Sequence, residues 1–128
     1  MTIFKGYANG FRWFITLTVS KDEFEDLHKS DVEEIADRFG RVSQSLSDLD
    51  KPYIEGVVNK VASTCVIDDS LETFLISGSC SSMTGDIFEY KNTLSELVKA
   101  LRKEFNMDLL KVEIMPIEIY SDSNIETT

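Results

Sequence analysis

Hydrophobic and polar residues alternate most regularly near the start of the chain, as expected of a strand with one buried face. The apolar side chains at every second position are Phe11, Trp13, Ile15, Leu17 and Val19. The dipeptide Asn9-Gly10 precedes them and is typical of a two-residue β-hairpin, because a type I′ turn needs positive φ at both positions. The sequence therefore predicts a hairpin in which Ile3–Ala8 pairs with the strand after the turn.

The next region has the spacing of amphipathic helices. Two capping boxes, Ser20–Glu23 and Ser30–Glu33, predict a helix that begins after the first strand and restarts at the second box. We expect this helix to end near Asp48, because the residue before Pro52 is disfavoured in helical backbone. Its predicted buried stripe consists of Val32, Ile35, Ala36, Phe39, Val42 and Leu46.

A last helix is predicted in the C-terminal part of the chain. It begins at the capping box Thr93–Glu96, and Asn106 is a typical residue for its end. Its apolar stripe consists of Leu94, Leu97, Val98, Leu101 and Phe105.

Shorter apolar runs predict the remaining strands. Pro116 lacks a backbone N–H, so the final strand should bend or lie at a sheet edge there. We predict strands at Ser63–Ile67, Glu72–Gly78, Ile87–Tyr90 and Leu110–Ile114, a small-residue loop at Gly78–Gly85, and either helix or strand at Tyr53–Ala62.

These elements predict an α+β fold. Hairpins with helices grouped apart from the strands favour an antiparallel or mixed sheet, formed by the N-terminal hairpin, the central strands and the C-terminal strand, with helices packed on one face. At 128 residues, one domain is expected over residues 1–121, and the polar residues 122–128 are predicted to form a disordered tail.

Composition favours an intracellular, cytoplasmic protein. Hydrophobic residues make up 42% of the chain, which is enough for a core, but no apolar run approaches the roughly 20 residues of a membrane-spanning helix. No signal peptide is visible at the N-terminus. Cys65 and Cys80 do not have metal-binding spacing, and we expect both to be reduced thiols.

Charge is the most informative feature for function. The chain has a formal net charge of −10, and half of this excess lies between residues 21 and 51. The exposed positions of the last helix carry the opposite sign, at Lys99, Arg102 and Lys103. Such a concentrated negative surface repels nucleic acid and anionic membranes and attracts basic proteins. The acidic residues of this region are Asp22, Glu23, Glu25, Asp26, Asp31, Glu33, Glu34, Asp37, Asp48 and Asp50.

The acidic helix has two interpretations. Opposite its apolar stripe, a helical wheel places Glu34, Asp37, Arg41, Gln44 and Asp48, which could form a docking face for a basic partner. Alternatively, these residues form an ordinary solvated surface, stabilised by i,i+4 pairs of Glu34 with Arg38 and of Asp37 with Arg41.

Candidate catalytic and metal-binding residues are sparse, and neither a cofactor nor a metal site is predicted. The acidic residues do not fit the spacing of an EF-hand loop. The hydroxyl-rich loop Ser77–Thr84 could supply a nucleophile only if His28, the one histidine, acted as its base. Glu55, Glu89 and Glu118 interrupt apolar runs but can each point outward.

We therefore expect a small acidic binding protein that inhibits or neutralises a basic protein partner, most concretely an immunity- or antitoxin-type inhibitor of a nuclease toxin. Three alternatives stay open: a DNA mimic that blocks a DNA-binding protein, a small enzyme using the loop Ser77–Thr84, and a self-assembling subunit. The predicted partner-binding residues are Glu34, Asp37 and Asp48, followed by Asp22, Glu23 and Asp26.

Overall fold

The computed structural model of the chain describes residues 4–24, 30–62, 70–82, 85–107 and 110–122. These residues form an antiparallel sheet and two α-helices, with a short 3-10 helix at Lys21–Glu23 between the first strand and the first α-helix. In chain order, the elements are β1 (Phe4–Ser20), α1 (Asp31–Ser47), β2 (Val57–Val61), β3 (Leu71–Ser81), α2 (Ile87–Glu104) and β4 (Lys111–Asp122).

The sheet has the strand order β2-β3-β1-β4, and every neighbouring pair is antiparallel. It follows that β1 is parallel to β2 with β3 between them, and that β3 is parallel to β4 with β1 between them. Each helix therefore belongs to a β-α-β unit whose two strands are separated by a third. This connectivity is the split β-α-β, or ferredoxin-like, arrangement.

Both helices pack on the same face of the sheet. The ring of Trp13 in β1 stacks on Phe39 of α1 with a centroid separation of 6.2 Å, and its Nε1 donates a hydrogen bond of 2.9 Å to the Tyr90 hydroxyl of α2. The predicted α+β class and the predicted placement of the helices are confirmed. The predicted alternation is also confirmed, because the five apolar side chains from Phe11 to Val19 are all buried.

The predicted N-terminal hairpin is wrong, because β1 is one continuous strand of 17 residues. Gly10 lies within it, opposite Ser81 on one side and Ile117 on the other. An added Cβ at Gly10 would collide with the carbonyl oxygen of Cys80 and lie 3.0 Å from the Ser81 Cα. The glycine therefore permits close approach of β3 and does not form a turn.

Three other predictions are corrected around the start of α2. The predicted loop Gly78–Gly85 begins too early, because β3 continues to Ser81 and pairs there with β1. The predicted strand Ile87–Tyr90 is the first turn of α2, because Asp86 caps the helix and accepts hydrogen bonds from the backbone N–H groups of residues 88 and 89. The predicted capping residue Thr93 lies inside the helix, where its hydroxyl donates to the Glu89 carbonyl.

Several predicted boundaries are confirmed. Ser30 caps α1 by accepting a hydrogen bond from the Glu33 backbone, whereas the earlier capping box forms only the 3-10 helix. Asn106 ends α2 with a positive φ of 51°. Pro116 lies in β4 at the sheet edge, and the segment Tyr53–Ala62, left open between helix and strand, contains the strand β2. Predictions for Ser63–Ile67, Cys65 and residues 123–128 of the tail lie outside the described residues.

Candidate functional site

The outer face of α1 carries an acidic stripe, which we define as Glu33, Asp37 and Asp48. All three are exposed and lie on one side of the helix with Arg41 and Gln44. The Gln44 amide donates a hydrogen bond of 2.9 Å to Asp48, which holds that carboxylate at the C-terminal end of the helix. Asp37 and Asp48 are separated by three helical turns, or about 16 Å along the axis.

Glu34 does not belong to this stripe, so its predicted outward orientation is wrong. It is only 9% exposed and is buried with Ile35, Phe39 and Ser43. Ala36, which was assigned to the buried stripe, is exposed. The rest of the predicted apolar stripe does pack on the core, and Glu33, not Glu34, lies on the outward side with Asp37.

Arg38, one helical turn after Glu34, contacts the neighbouring helix. Arg38 of α1 turns toward α2, where its Nε lies 3.1 Å from Glu104 Oε1 and its Nη2 donates a hydrogen bond of 2.7 Å to the Glu104 carbonyl. Its guanidinium also lies 4.2 Å from the centroid of the Phe105 ring. These contacts fix one flank of α1 against α2 and leave the acidic stripe facing outward.

Asp22 and Glu23, which were also predicted to bind the partner, lie outside α1. Asp22 is exposed in the 3-10 helix that follows β1, and Glu23 belongs to the same turn, whereas Asp26 lies outside the described residues. Lys21 in this turn bonds to Ser70, next to the start of β3.

A second charged group lies at the N-terminal end of α1. Lys60 of β2 places its Nζ 3.0 Å from Glu72 Oε1 and 3.7 Å from Asp31 Oδ2. A hydrogen bond between the two carboxyl groups raises the pKa of Asp31 and lowers the pKa of Glu72, and the Lys60 ammonium lowers the Glu72 pKa further. The hydrogen bond from Lys60 to Glu72 raises the pKa of the amine. The group connects α1, β2 and β3.

Part of the loop proposed to supply a nucleophile is a strand in the structure. Ser77–Ser81 lies in β3, where Cys80 and Ser81 are buried, and burial raises the pKa of the Cys80 thiol. A buried thiol with a raised pKa is a poor nucleophile. His28 lies outside the described residues. In the described part of the chain, no three His, Cys, Asp or Glu side chains are grouped to hold a metal ion.

The face of the sheet opposite the helices carries the exposed apolar residues relevant to the self-assembly alternative. Side chains alternate between the two faces of a strand, so Val57, Leu71 and Met115 lie on the face away from Trp13. Val57 is 62% exposed and Met115 is 52% exposed. Phe14, which interrupts the polar positions of β1, lies half-buried on the same face.

Comparison with known proteins gives no functional assignment. No family model, curated protein or solved structure matches this chain. The ferredoxin-like connectivity supports many unrelated activities, so it does not indicate a function by itself. None of the helices in the described residues is long and apolar enough to cross a membrane.

Proposed function

We propose that this protein is a small acidic binding protein that neutralises a basic protein partner through the outer face of α1. The observation that supports the proposal is the orientation of the helix. Arg38 faces inward at 12% exposure and is paired with Glu104, whereas Glu33, Asp37 and Asp48 face solvent. The packing thus directs one of the helix's two arginines away from the surface and leaves the carboxylates there, although Arg41 stays exposed among them.

The most concrete form of this proposal is an immunity- or antitoxin-type inhibitor of a nuclease. Nucleases bind a polyanion, and their clefts therefore carry positive charge. An acidic helix can enter such a cleft, and the net charge of −10 accelerates association with a basic partner by electrostatic steering. Inhibition requires only that the helix cover the cleft, so no catalytic group is needed in the inhibitor.

Charge reversal on the stripe tests the proposal. The protein is used to capture partners from a native extract cleared of nucleic acid, and a captured partner is purified for kinetic measurements at low and high salt. The double variant Asp37→Lys/Asp48→Lys is expected to slow association by about tenfold or more. The matched control Glu55→Lys/Glu113→Lys changes net charge equally at exposed positions off α1 and is expected to have a much smaller effect.

The nature of the partner distinguishes the proposal from DNA mimicry. A nuclease whose activity is titrated to zero at one-to-one stoichiometry supports the inhibitor, whereas a DNA-binding protein without nuclease activity supports the mimic. The exposed Arg41 between Asp37 and Asp48 interrupts the row of negative charges, which favours the first outcome. Equal binding by the stripe variant and the wild-type protein would refute the acidic face as the binding surface.

A further inference from the structure

A groove of about 400 Å³ lies between α2 and the edge strand β4. Its apolar part comes from both elements, because Leu94 and Val98 project from α2 while Val112 and Ile114 project from β4. Ile114 is 44% exposed, so the groove presents apolar surface to solvent. The groove exists because β4 is the outermost strand and α2 packs mainly over the central strands.

The polar part of the groove is basic in a protein that is strongly acidic overall. Lys91, Lys99 and Arg102 line it, and no carboxylate is among its lining residues. Within the described residues, no ion pair involves Lys99 or Arg102, whereas the Lys91 ammonium lies 5.9 Å from the ring centroid of Phe11. Lys99 and Arg102 are one helical turn apart, so two cations converge at one end of the groove.

A second depression adjoins this end. It has a volume of about 480 Å³ and shares Lys99 and Arg102 with the groove, while Lys103, Asn106 and Met107 complete its lining. The two cations therefore lie between an apolar groove on one side and a polar, solvent-facing depression on the other. An anionic group placed against them would stay accessible to water while an attached apolar body occupied the groove.

We propose that this groove binds a small amphiphile with an elongated apolar body and one anionic head group, such as a carboxylate. The head contacts Lys99 and Arg102, and the body lies along Leu94, Val98 and Ile114. From Lys91 to Arg102 the groove runs about 16 Å along α2, which suits an elongated molecule. This site is separate from the acidic stripe on α1.

Size favours a small molecule over a protein segment as the occupant. Small-molecule sites enclose about 300–1,000 Å³ and combine apolar walls with a few polar groups, as this groove does. A stable protein interface buries about 800 Å² on each partner, which is more than this strip between one helix and one strand offers.

Two probes with the same tail and opposite heads test the proposal. Decanoate and decyltrimethylammonium are titrated separately into the full chain by calorimetry, below the concentrations at which either forms micelles. We expect saturable binding of decanoate at one site and binding of the cationic probe weaker by about tenfold or more. Equal affinity for both probes, or no saturable binding of decanoate, would overturn the proposal.

Two pairs of matched variants locate the site. Ile114 and Met115 are adjacent in β4 on opposite faces of the sheet, so Ile114→Asp is expected to weaken decanoate binding by about tenfold or more while Met115→Asp leaves it unchanged. Similarly, Lys99→Glu should weaken binding, whereas Lys111→Glu, on the opposite face, should not. Thermal unfolding of each variant verifies that it is folded. Equal losses within either pair would show that decanoate binds elsewhere.

Discussion

The indole ring of Trp13 lies against Gly78, its partner across the β1–β3 ladder. A Cβ added to Gly78 would lie 2.6 Å from Trp13 Cε2 and 2.7 Å from the carbonyl oxygen of Glu55. Trp13 is fully buried, with Phe39 stacked on it and Tyr90 bonded to its Nε1, so the ring has little room to move. A glycine in the interior of this strand is therefore explained by close packing.

Replacing this glycine should destabilise the protein. Gly78→Ala is expected to lower the free energy of unfolding by about 1–3 kcal/mol, because the added methyl group overpacks the core. Urea unfolding followed by Trp13 fluorescence measures the change. A variant as stable as the wild-type protein would show that the ring does not lie against the glycine.

Gly40 provides the matched control for this substitution. It lies inside α1, and a Cβ added there would meet nothing within 4 Å. The same Gly→Ala change should therefore stabilise the protein by about 0.5–1 kcal/mol, because alanine has the higher helix propensity. Opposite signs for the two substitutions would show that local packing, and not glycine removal in general, determines the result.

Ser43 joins α1 to the segment before β2. Its buried hydroxyl donates a hydrogen bond of 2.6 Å to the Ile54 carbonyl and accepts one of 3.1 Å from the Ile54 backbone N–H. Ser43→Ala should lower the free energy of unfolding by about 1–3 kcal/mol, because both backbone groups of Ile54 lose their partner. Chemical denaturation provides the measurement.

Ser45 is the control for this prediction. It is exposed on the same helix, and its hydroxyl donates to the Arg41 carbonyl. Ser45→Ala should change stability by no more than about 0.5 kcal/mol, because water replaces the lost hydrogen bond. If both serine variants behaved alike, the buried contact with Ile54 would not contribute as argued.

The sequence predicted the α+β class and the buried face of β1 because both depend on local periodicity. It could not show whether Asn9-Gly10 forms a hairpin turn or lies within a strand. A glycine that permits a tight turn also permits close approach of a neighbouring strand. That choice depends on β3, which contributes its pairing residues about 70 positions later in the chain. Similarly, the serine-rich sequence before Gly85 resembles a loop until its pairing with β1 is known.

The candidate site was also predicted only in part, because local periodicity reports some of its residues and long-range packing determines the others. Periodicity placed Asp37 and Asp48 on the outer face of α1 correctly, because these positions lie far from the apolar stripe. The same periodicity placed Glu34 opposite the stripe, but Glu34 is buried, and local spacing does not report the tertiary packing that buries it. The inward contact of Arg38 with Glu104 spans 66 residues and leaves no signal in either local sequence.

Arg38 should contribute more to stability than its exposed neighbour Arg41. Arg38→Lys is expected to lower the free energy of unfolding by about 1–3 kcal/mol, because lysine retains the charge but loses the forked hydrogen bonds and the stacking on Phe105. Thermal unfolding with calorimetric detection measures this loss.

The same substitution at Arg41 should be nearly neutral. Arg41 is 72% exposed and lies 4.0 Å from Glu104, so Arg41→Lys is expected to change stability by less than about 0.5 kcal/mol. Comparable losses at both positions would mean that charge alone, and not the geometry of the guanidinium, stabilises the contact between α1 and α2.

The last prediction concerns the pH dependence of the Asp31–Lys60–Glu72 group. In the folded protein the hydrogen bond with Asp31 and the Lys60 ammonium hold the pKa of Glu72 below its ordinary value of 4.5, while the pKa of Asp31 is raised above 3.8. The lowered pKa means that Glu72 contributes stability above its ordinary pKa, and that this contribution is lost as the pH falls through the folded value. Lys60 therefore contributes more to stability toward the upper end of the carboxyl range, where the carboxyl groups lose their protons.

Lys60→Met should accordingly be less stable than the wild-type protein at neutral pH, and the deficit should shrink as the pH falls through the carboxyl range. Without the ammonium, the two facing carboxylates take up a proton more readily in the folded than in the unfolded state. Acidification therefore lowers the stability of the variant less than it lowers the stability of the wild-type protein. Urea unfolding of both proteins across this range measures the difference.

Lys111→Met, which removes the exposed partner of Glu113, should show little pH-dependent deficit. A deficit for Lys60→Met that stayed constant or grew on acidification would refute the proposed coupling of the two carboxyl groups.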